Sequence, residues 1–275
     1  MQDETGKKRT SKQLSSIAKI TQPHVTGILP RKRLYNILDS SRNSPITFIL
    51  SPPGSGKTSL VSSYLSDRKI PCLWYSIDGG DKDIATFFHY MELALRKALP
   101  NKKKPLPRYT PDYADGVLVF ARRYFEEAFS RIKIPFMFVF DNYQDVPTRS
   151  HFHTMINHVL SEVPEGINFA ILSRKEPPPA FARLHVHGMA HIIGWDTIRF
   201  TLEEARELFE NKMPGRFPNK AFPALYEKTD GWAAGLMISL TNIMKQSFNE
   251  EILLTRQQNI ASRHPRLSGS DGVTN

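Results

Sequence analysis

The stretch that decides the reading of this chain is Ser51-Pro-Pro-Gly-Ser-Gly-Lys-Thr-Ser-Leu60, SPPGSGKTSL. It follows the phosphate-binding pattern G-x-x-x-x-G-K-[ST] except at the first position, where Ser51 stands in place of glycine. Such a loop works by converging backbone N–H groups on anionic oxygens at a helix N-terminus. Pro52 and Pro53 lack that N–H but sit where little donation is needed, and they stiffen the turn. The donating half, Gly54, Ser55, Gly56, Lys57, Thr58 and Ser59, is complete. Lys57 would reach the β- and γ-phosphates, and the Thr58 hydroxyl would hold Mg²⁺.

The flanks support a nucleotide site. ITFIL at 46–50 reads as a buried strand halted by Ser-Pro-Pro, and SLVSSYLSD at 59–67 reads as the helix that the loop opens. Working outward, a short helix is expected at 32–39, strands at 72–77, 134–142 and 167–173, and helices at 83–99, 113–131 and 151–163. A last strand is expected within HGMAHIIG, residues 187–194. Strands alternating with helices indicate a parallel sheet with crossover helices. After Thr201 the pattern is helical only, opened by a Thr201–Glu204 capping box.

The fold class expected is therefore α/β: a P-loop NTPase parallel sheet flanked by helices, followed by a small all-helical subdomain. The expected divisions are a loose basic segment at 1–19, the nucleotide-binding domain at 20–198, the helical subdomain at 199–248 and an irregular basic tail at 249–275.

A nucleotide site also needs an acid at the end of an apolar strand. FMFVFDNYQDV supplies Asp141, the second Mg²⁺ residue beside Thr58. ATPases of this kind often carry a second acid directly after the first, as base for the attacking water. Here Asn142 holds that position, an amide takes no proton at neutral pH, and Asp145 is close in sequence but displaced, so weak hydrolysis, or hydrolysis with an unusual base, is expected. Arg174, just past strand 167–173, lies where ligands bind in open α/β sheets and could sense a γ-phosphate. The catalytic candidates are thus Lys57, Asp141 and Arg174.

Composition sets outer bounds. Of 275 residues, 40% are hydrophobic and 23% charged, enough for a packed core. The net charge of +10 is partly carried by the ends and by NKKKPLPR at 101–108, which lacks the interleaved aromatics of a stacking surface. Direct DNA binding by this chain is not expected. The lone Cys72 excludes an intramolecular disulfide and reads as a small buried residue. Histidines 151, 153 and 158, and 185, 187 and 191, are read as surface and strand residues rather than metal ligands. Trp195, Phe200 and Trp232 are read as core of the helical subdomain. With no long apolar stretch and a polar start, no membrane association and a cytoplasmic location are expected.

ITQPHVTGILPRKRL, ILSPPGSGKTSLVSSYL, CLWYSIDGGDKDIATFFHYMELAL, FVFDNYQDV, LSRKEPPPAFARL, IRFTLEEARELF and EKTDGWAAGLMISL occur in this order. Together, over residues 17–245, they resemble the N-terminal ATPase part of MalT-type, LuxR-family transcriptional activators, a group of signal-transduction ATPases with numerous domains (STAND). The resemblance implies an ATP/ADP switch with Mg²⁺: ADP holds a closed form, ATP with an inducer favours an open, self-associating form, and hydrolysis resets it. It maps the family's lysine and threonine onto Lys57 and Thr58, its magnesium acid onto Asp141 and its sensor arginine onto Arg174. PRKRL matches the stretch that contacts the base or ribose, making Arg31 and Arg33 nucleotide-binding candidates, with a helix-start surface role as the alternative. No helix-turn-helix or sensor repeat is visible, so the expectation is a truncated product, an excised piece, or a stand-alone ATPase that acts through a partner regulator. A P-loop kinase, an AAA-type remodelling ATPase and a nucleotide-bound module without turnover remain as alternatives.

Overall fold

The computed structural model describes residues 17–100, 105–215 and 220–245. Five strands form one sheet: β1 (Ile46–Leu50), β2 (Cys72–Ser76), β3 (Phe136–Asp141), β4 (Ile167–Ser173) and β5 (Ala190–Ile193). Their order across the sheet is β2-β3-β4-β1-β5, and every pairing is parallel. β4 is thus inserted between β1, which feeds the phosphate loop, and β3, which ends in Asp141. This is the P-loop NTPase sheet that the alternating pattern implied.

Both faces of the sheet are covered, so its strands are near-continuous apolar runs. The period-2 alternation sorts them. Ile46, Phe48, Tyr75, Phe138, Phe140, Phe169 and Ile171 enter one core with α3 (Ile84–Ala98), α4 (Val117–Phe129) and α5 (His151–Leu160). Ile49, Trp74, Val139, Ala170 and Leu172 enter the other, with α1 (Lys32–Ser41) and α2 (Lys57–Arg68). The first core is rich in aromatics. Phe138 and Phe169, on neighbouring strands, stack with centroids 4.7 Å apart and planes within 6°. Truncating such a buried Phe to Ala costs about 3–5 kcal/mol.

Residues 17–19, expected to be loose, are part of the fold. A single 3₁₀ turn at Ala18–Ile20 buries Ile20 and aims Lys19 at the end of β2. There Lys19 Nζ donates to Asp78 Oδ2 (2.6 Å) and to Asp81 Oδ2 (2.7 Å). Asp81 is fully buried and also accepts from the Tyr75 hydroxyl (2.6 Å) and the Asp78 N–H (2.8 Å). A buried carboxylate needs such partners, because without them its desolvation is uncompensated. Residues 1–16 and the expected tail at 249–275 lie outside the described residues, as do 101–104 of the basic loop.

The chain divides into two compact units, one ending at Arg199 and the other beginning at Phe200. After β4 the first unit carries the short helices α6 (Ala182–Val186) and α7 (Trp195–Ile198) on either side of β5. Trp195 therefore belongs to this unit and not to the helical subdomain. In the second unit, α8 (Leu202–Lys212) begins at the expected capping box: the Thr201 side chain accepts from the Glu204 N–H, and the Glu204 carboxylate accepts from the Thr201 N–H. α9 (Phe222–Thr229) follows, and a further helical stretch runs from 233 to 245. Between them lies Gly231, at φ +71°, whose carbonyl accepts the Phe200 N–H. A Cβ there would collide with the Phe200 carbonyl, which also accepts from the Tyr226 hydroxyl. Trp232, expected in the core, is 38% exposed.

Candidate nucleotide site

β1 ends at Leu50, and the chain turns through Ser51–Gly56 into α2. Gly54 and Gly56 have φ of +72° and +89°, a region that costs other residues strain. The two reversals fold the backbone into a concave turn. Helix α2 begins at Lys57, two residues before the sequence expectation, because Gly56 itself is the N-cap. The first intrahelical bond is from the Leu60 N–H to the Gly56 carbonyl (2.8 Å). The N–H groups of Lys57, Thr58 and Ser59 come before it and so have no intrahelical acceptor. With the helix dipole behind them, they favour an anion.

Ser51 carries the difference from the usual pattern. Its hydroxyl lies 2.6 Å from that of Ser55, closing the loop across its width, and both residues are buried. Its N–H donates to the Ser173 carbonyl (3.2 Å), tying the loop to the end of β4. The missing glycine is therefore replaced by a side chain with a partner.

Lys57 Nζ folds back and donates to the carbonyls of Ser51 (2.6 Å) and Pro52 (3.1 Å). Burial pushes its pKa down to about 8, the Arg174 charge adds to the fall, and Asp141 opposes it. Without a ligand the ammonium is thus held by neutral carbonyls and destabilised by its surroundings. A phosphate would relieve both conditions.

Thr58 and Asp141 meet across the end of the inserted strand: Thr58 Oγ1 donates to Asp141 Oδ2 (2.9 Å). Asp141 is buried, and burial raises its pKa, opposed by Thr58, by the Asn142 N–H, and by Lys57 and Arg174. A partly desolvated carboxylate beside a threonine hydroxyl at a phosphate loop is a suitable donor set for a hard cation such as Mg²⁺. Arg174 follows β4 directly. Its side chain is exposed, and its charge is felt at both Lys57 and Asp141.

Three further placements refine the sequence reading. Asn142 adopts φ +60°, and its side-chain amide donates to Ser76 Oγ (3.3 Å) at the end of β2. Arg31 and Arg33 are held within the first unit: Arg31 donates to the Arg199 carbonyl (2.8 Å), and Arg33 donates to the carbonyls of Thr197 (2.9 Å) and Arg199 (3.2 Å). Arg31 is buried, so it is not a helix-start surface charge. Cys72 is half-buried and donates to the Gln22 side chain.

Sequence reasoning missed two residues. Gln144 accepts the Arg174 N–H (3.0 Å), bridging the exits of β3 and β4. His153, read as a surface histidine, is buried between the Tyr143 hydroxyl and the Pro147 carbonyl, at 3.0 Å from each. Its position on the inner face of α5, beside Phe152 and Ile156, is the signal that could have found it. Among the described residues no three His, Cys, Asp or Glu side chains gather as a metal cluster, and no helix is long and apolar enough to cross a membrane.

No family model matches the chain. Over 224 residues it is 28% identical to the HTH-type transcriptional regulator MalT of Serratia proteamaculans (strain 568), a match covering 80% of this chain. Over that stretch the chain is similar to a MalT-type regulator. It spans 24% of that MalT's length. Solved structures with similar coordinates include a Walker-type ATPase of Pyrococcus abyssi, with TM-score 0.49 and 13% identity over 92% of this chain and 81% of that one. A DNA replication initiation factor matches with TM-score 0.47 and 12% identity, over 85% of this chain and 66% of that one. The P-loop fold itself rests on the strand order and the loop geometry given above.

Proposed function

We propose that this chain is the nucleotide-binding part of a MalT-like regulator, a signal-transduction switch that binds ATP or ADP with Mg²⁺ and hydrolyses ATP slowly. The observation that carries the reading is the meeting of Thr58 and Asp141 across β4, beside a loop whose lysine donates to two backbone carbonyls and a serine hydroxyl. Gly54–Ser59 and Lys57 would bind the phosphates, and Thr58 and Asp141 would hold Mg²⁺, which supplies positive charge against the phosphate oxygens. Arg174 would add a second cation on the γ-phosphate side.

The role of a switch follows from what the site lacks. Asn142 occupies the position of the usual base, and its amide is turned toward Ser76, so no carboxylate directly follows Asp141 to take a proton from water. A nucleotide that is bound well and hydrolysed slowly acts as a ligand. It shifts a population by its differential affinity for two states, and moving a 1:99 balance to 99:1 takes about a 10⁴-fold difference. Self-association in the ATP state and action through a partner regulator belong to the same proposal.

Isothermal titration with ADP and with ATP–Mg²⁺, together with identification of the nucleotide carried through purification, tests the reading. Retained ADP and turnover below ~1 per second, the low end of ordinary enzymes, are expected. Absence of binding in the wild type, as in Lys57→Ala, would refute it, and so would phosphate transfer to a small acceptor.

A further inference from the structure

Beyond the last β3–β4 pair, Phe140↔Ile171, the two strands separate into different loops. The β3 exit carries Asp141, Asn142 and a 3₁₀ turn at Tyr143–Asp145, and the β4 exit carries Ser173, Arg174 and Lys175. Gln144 joins them. Its Oε1 accepts the Arg174 N–H at 3.0 Å, and its Nε2 donates to Asp145 Oδ1 at 3.1 Å.

We propose that Gln144 is a positioning residue that fixes the backbone of Arg174, and so sets how strongly the site distinguishes a nucleoside triphosphate from a diphosphate. The inference rests on the reading of Arg174 as the γ-phosphate cation.

Each side of the bridge is braced by side-chain hydrogen bonds. On the β3 side, Tyr143 is buried and bonded to His153, whose second ring nitrogen contacts the Pro147 carbonyl (3.0 Å). These bonds lock the turn from both ends, and Gln144 rides on it. On the β4 side, buried Ser173 donates to the Lys175 carbonyl (2.7 Å) and accepts from the Lys175 N–H (3.0 Å). The residue between them is Arg174, and its N–H is the one Gln144 takes. The exposed side chain is thus launched from a backbone anchored on both sides. A long flexible cation on a fixed base spends less entropy reaching its ligand than one on a mobile loop. That benefit appears only when there is a γ-phosphate to reach.

A Gln144 that merely fastened two loops would change stability and leave nucleotide preference alone. The two roles separate in the ratio of affinities. Titrations with ADP–Mg²⁺ and with a non-hydrolysable ATP analogue–Mg²⁺ should show Gln144→Ala and the isosteric Gln144→Met losing about three- to tenfold on the ATP analogue, the scale of one hydrogen bond. ADP affinity should stay within about twofold of wild type on the same scale. Arg174→Ala should lose the same preference, and adding Gln144→Met to it should cost little more, because the two act as one unit.

Equal losses on both nucleotides, a lowered melting temperature with an unchanged ratio, or full additivity with Arg174→Ala would each overturn the proposal. The wider reading fails separately. It falls if the wild type binds neither nucleotide. If Lys57→Ala abolishes binding while Arg174→Ala leaves the ratio unchanged, the phosphate loop's part in the site stands and the roles of Arg174 and Gln144 are both lost.

Discussion

The two sides of the candidate site are built differently. The phosphate-loop side is backbone: two glycines with positive φ, three N–H groups ahead of the first helical bond, and a lysine held by its own loop. The side formed by the exits of β3 and β4 is made of side chains: Asp141, Asn142, Gln144 and Arg174, each placed by a specific bond or charge. Backbone donors survive substitution, so the loop tolerates Ser51 and two prolines. Side-chain chemistry does not, and a single amide at 142 changes what the second side can do.

The sharpest way to break this contrast is Lys57→Ala. It should weaken both ADP and ATP binding by about 100-fold, since a charge-assisted bond to phosphate is worth roughly 1.5–3 kcal/mol; calorimetry reads the loss directly. A loss confined to ATP would mean that the backbone loop suffices for the diphosphate.

Asn142→Asp tests the other side. Placing a carboxylate there should raise single-turnover hydrolysis by about 100-fold, the lower reach of general-base catalysis. No change would show that the turn at φ +60° keeps position 142 from the attacking water, whatever its side chain.

The pH dependence sharpens the lysine's part. Burial pushes the Lys57 pKa down to about 8, and a bound phosphate would raise it again. Affinity is therefore full below 8 and falls as pH rises through it, by about tenfold between pH 7 and pH 9. Lys57→Arg, charged throughout, should flatten the profile in the same titrations.

Ser51→Gly should have the smallest effect. It removes the hydroxyl contact to Ser55 but restores the usual loop residue, and ADP affinity should stay within about twofold. A large loss would make Ser51 part of the binding surface rather than a brace.

The expected strands matched where apolar runs end abruptly. β1 and β4 fall on the expected residues, β1 stopping just ahead of Ser51 and β4 at Ser173, its last paired residue. Boundaries slipped where the local geometry is unusual. α2 starts at Lys57 because a glycine with positive φ serves as its N-cap, which a hydrophobic periodicity does not register. The site residues on the loop and at the strand end were legible because each is tied to a local motif. The Arg31 and Arg33 contacts were not, since their carbonyl partners lie more than 160 residues away in the chain. Gln144 was illegible for a related reason: its partner sits on a neighbouring strand exit, and no pattern in the sequence pairs a glutamine with a backbone N–H.

Asp81 has a practical consequence for anyone shortening this chain. By topology, the nucleotide fold could be cut just ahead of α1, leaving all five strands, the loop and Asp141 in place. By charge it cannot. Lys19 is the cation that balances a carboxylate with no exposure at the end of β2, and a fragment starting at residue 21 would leave that carboxylate with only a phenol and an amide. Losing one partner of a buried pair costs about 3–5 kcal/mol, a large share of what holds a domain together. The usable start of the domain is set by electrostatics, some twenty-five residues ahead of its first strand.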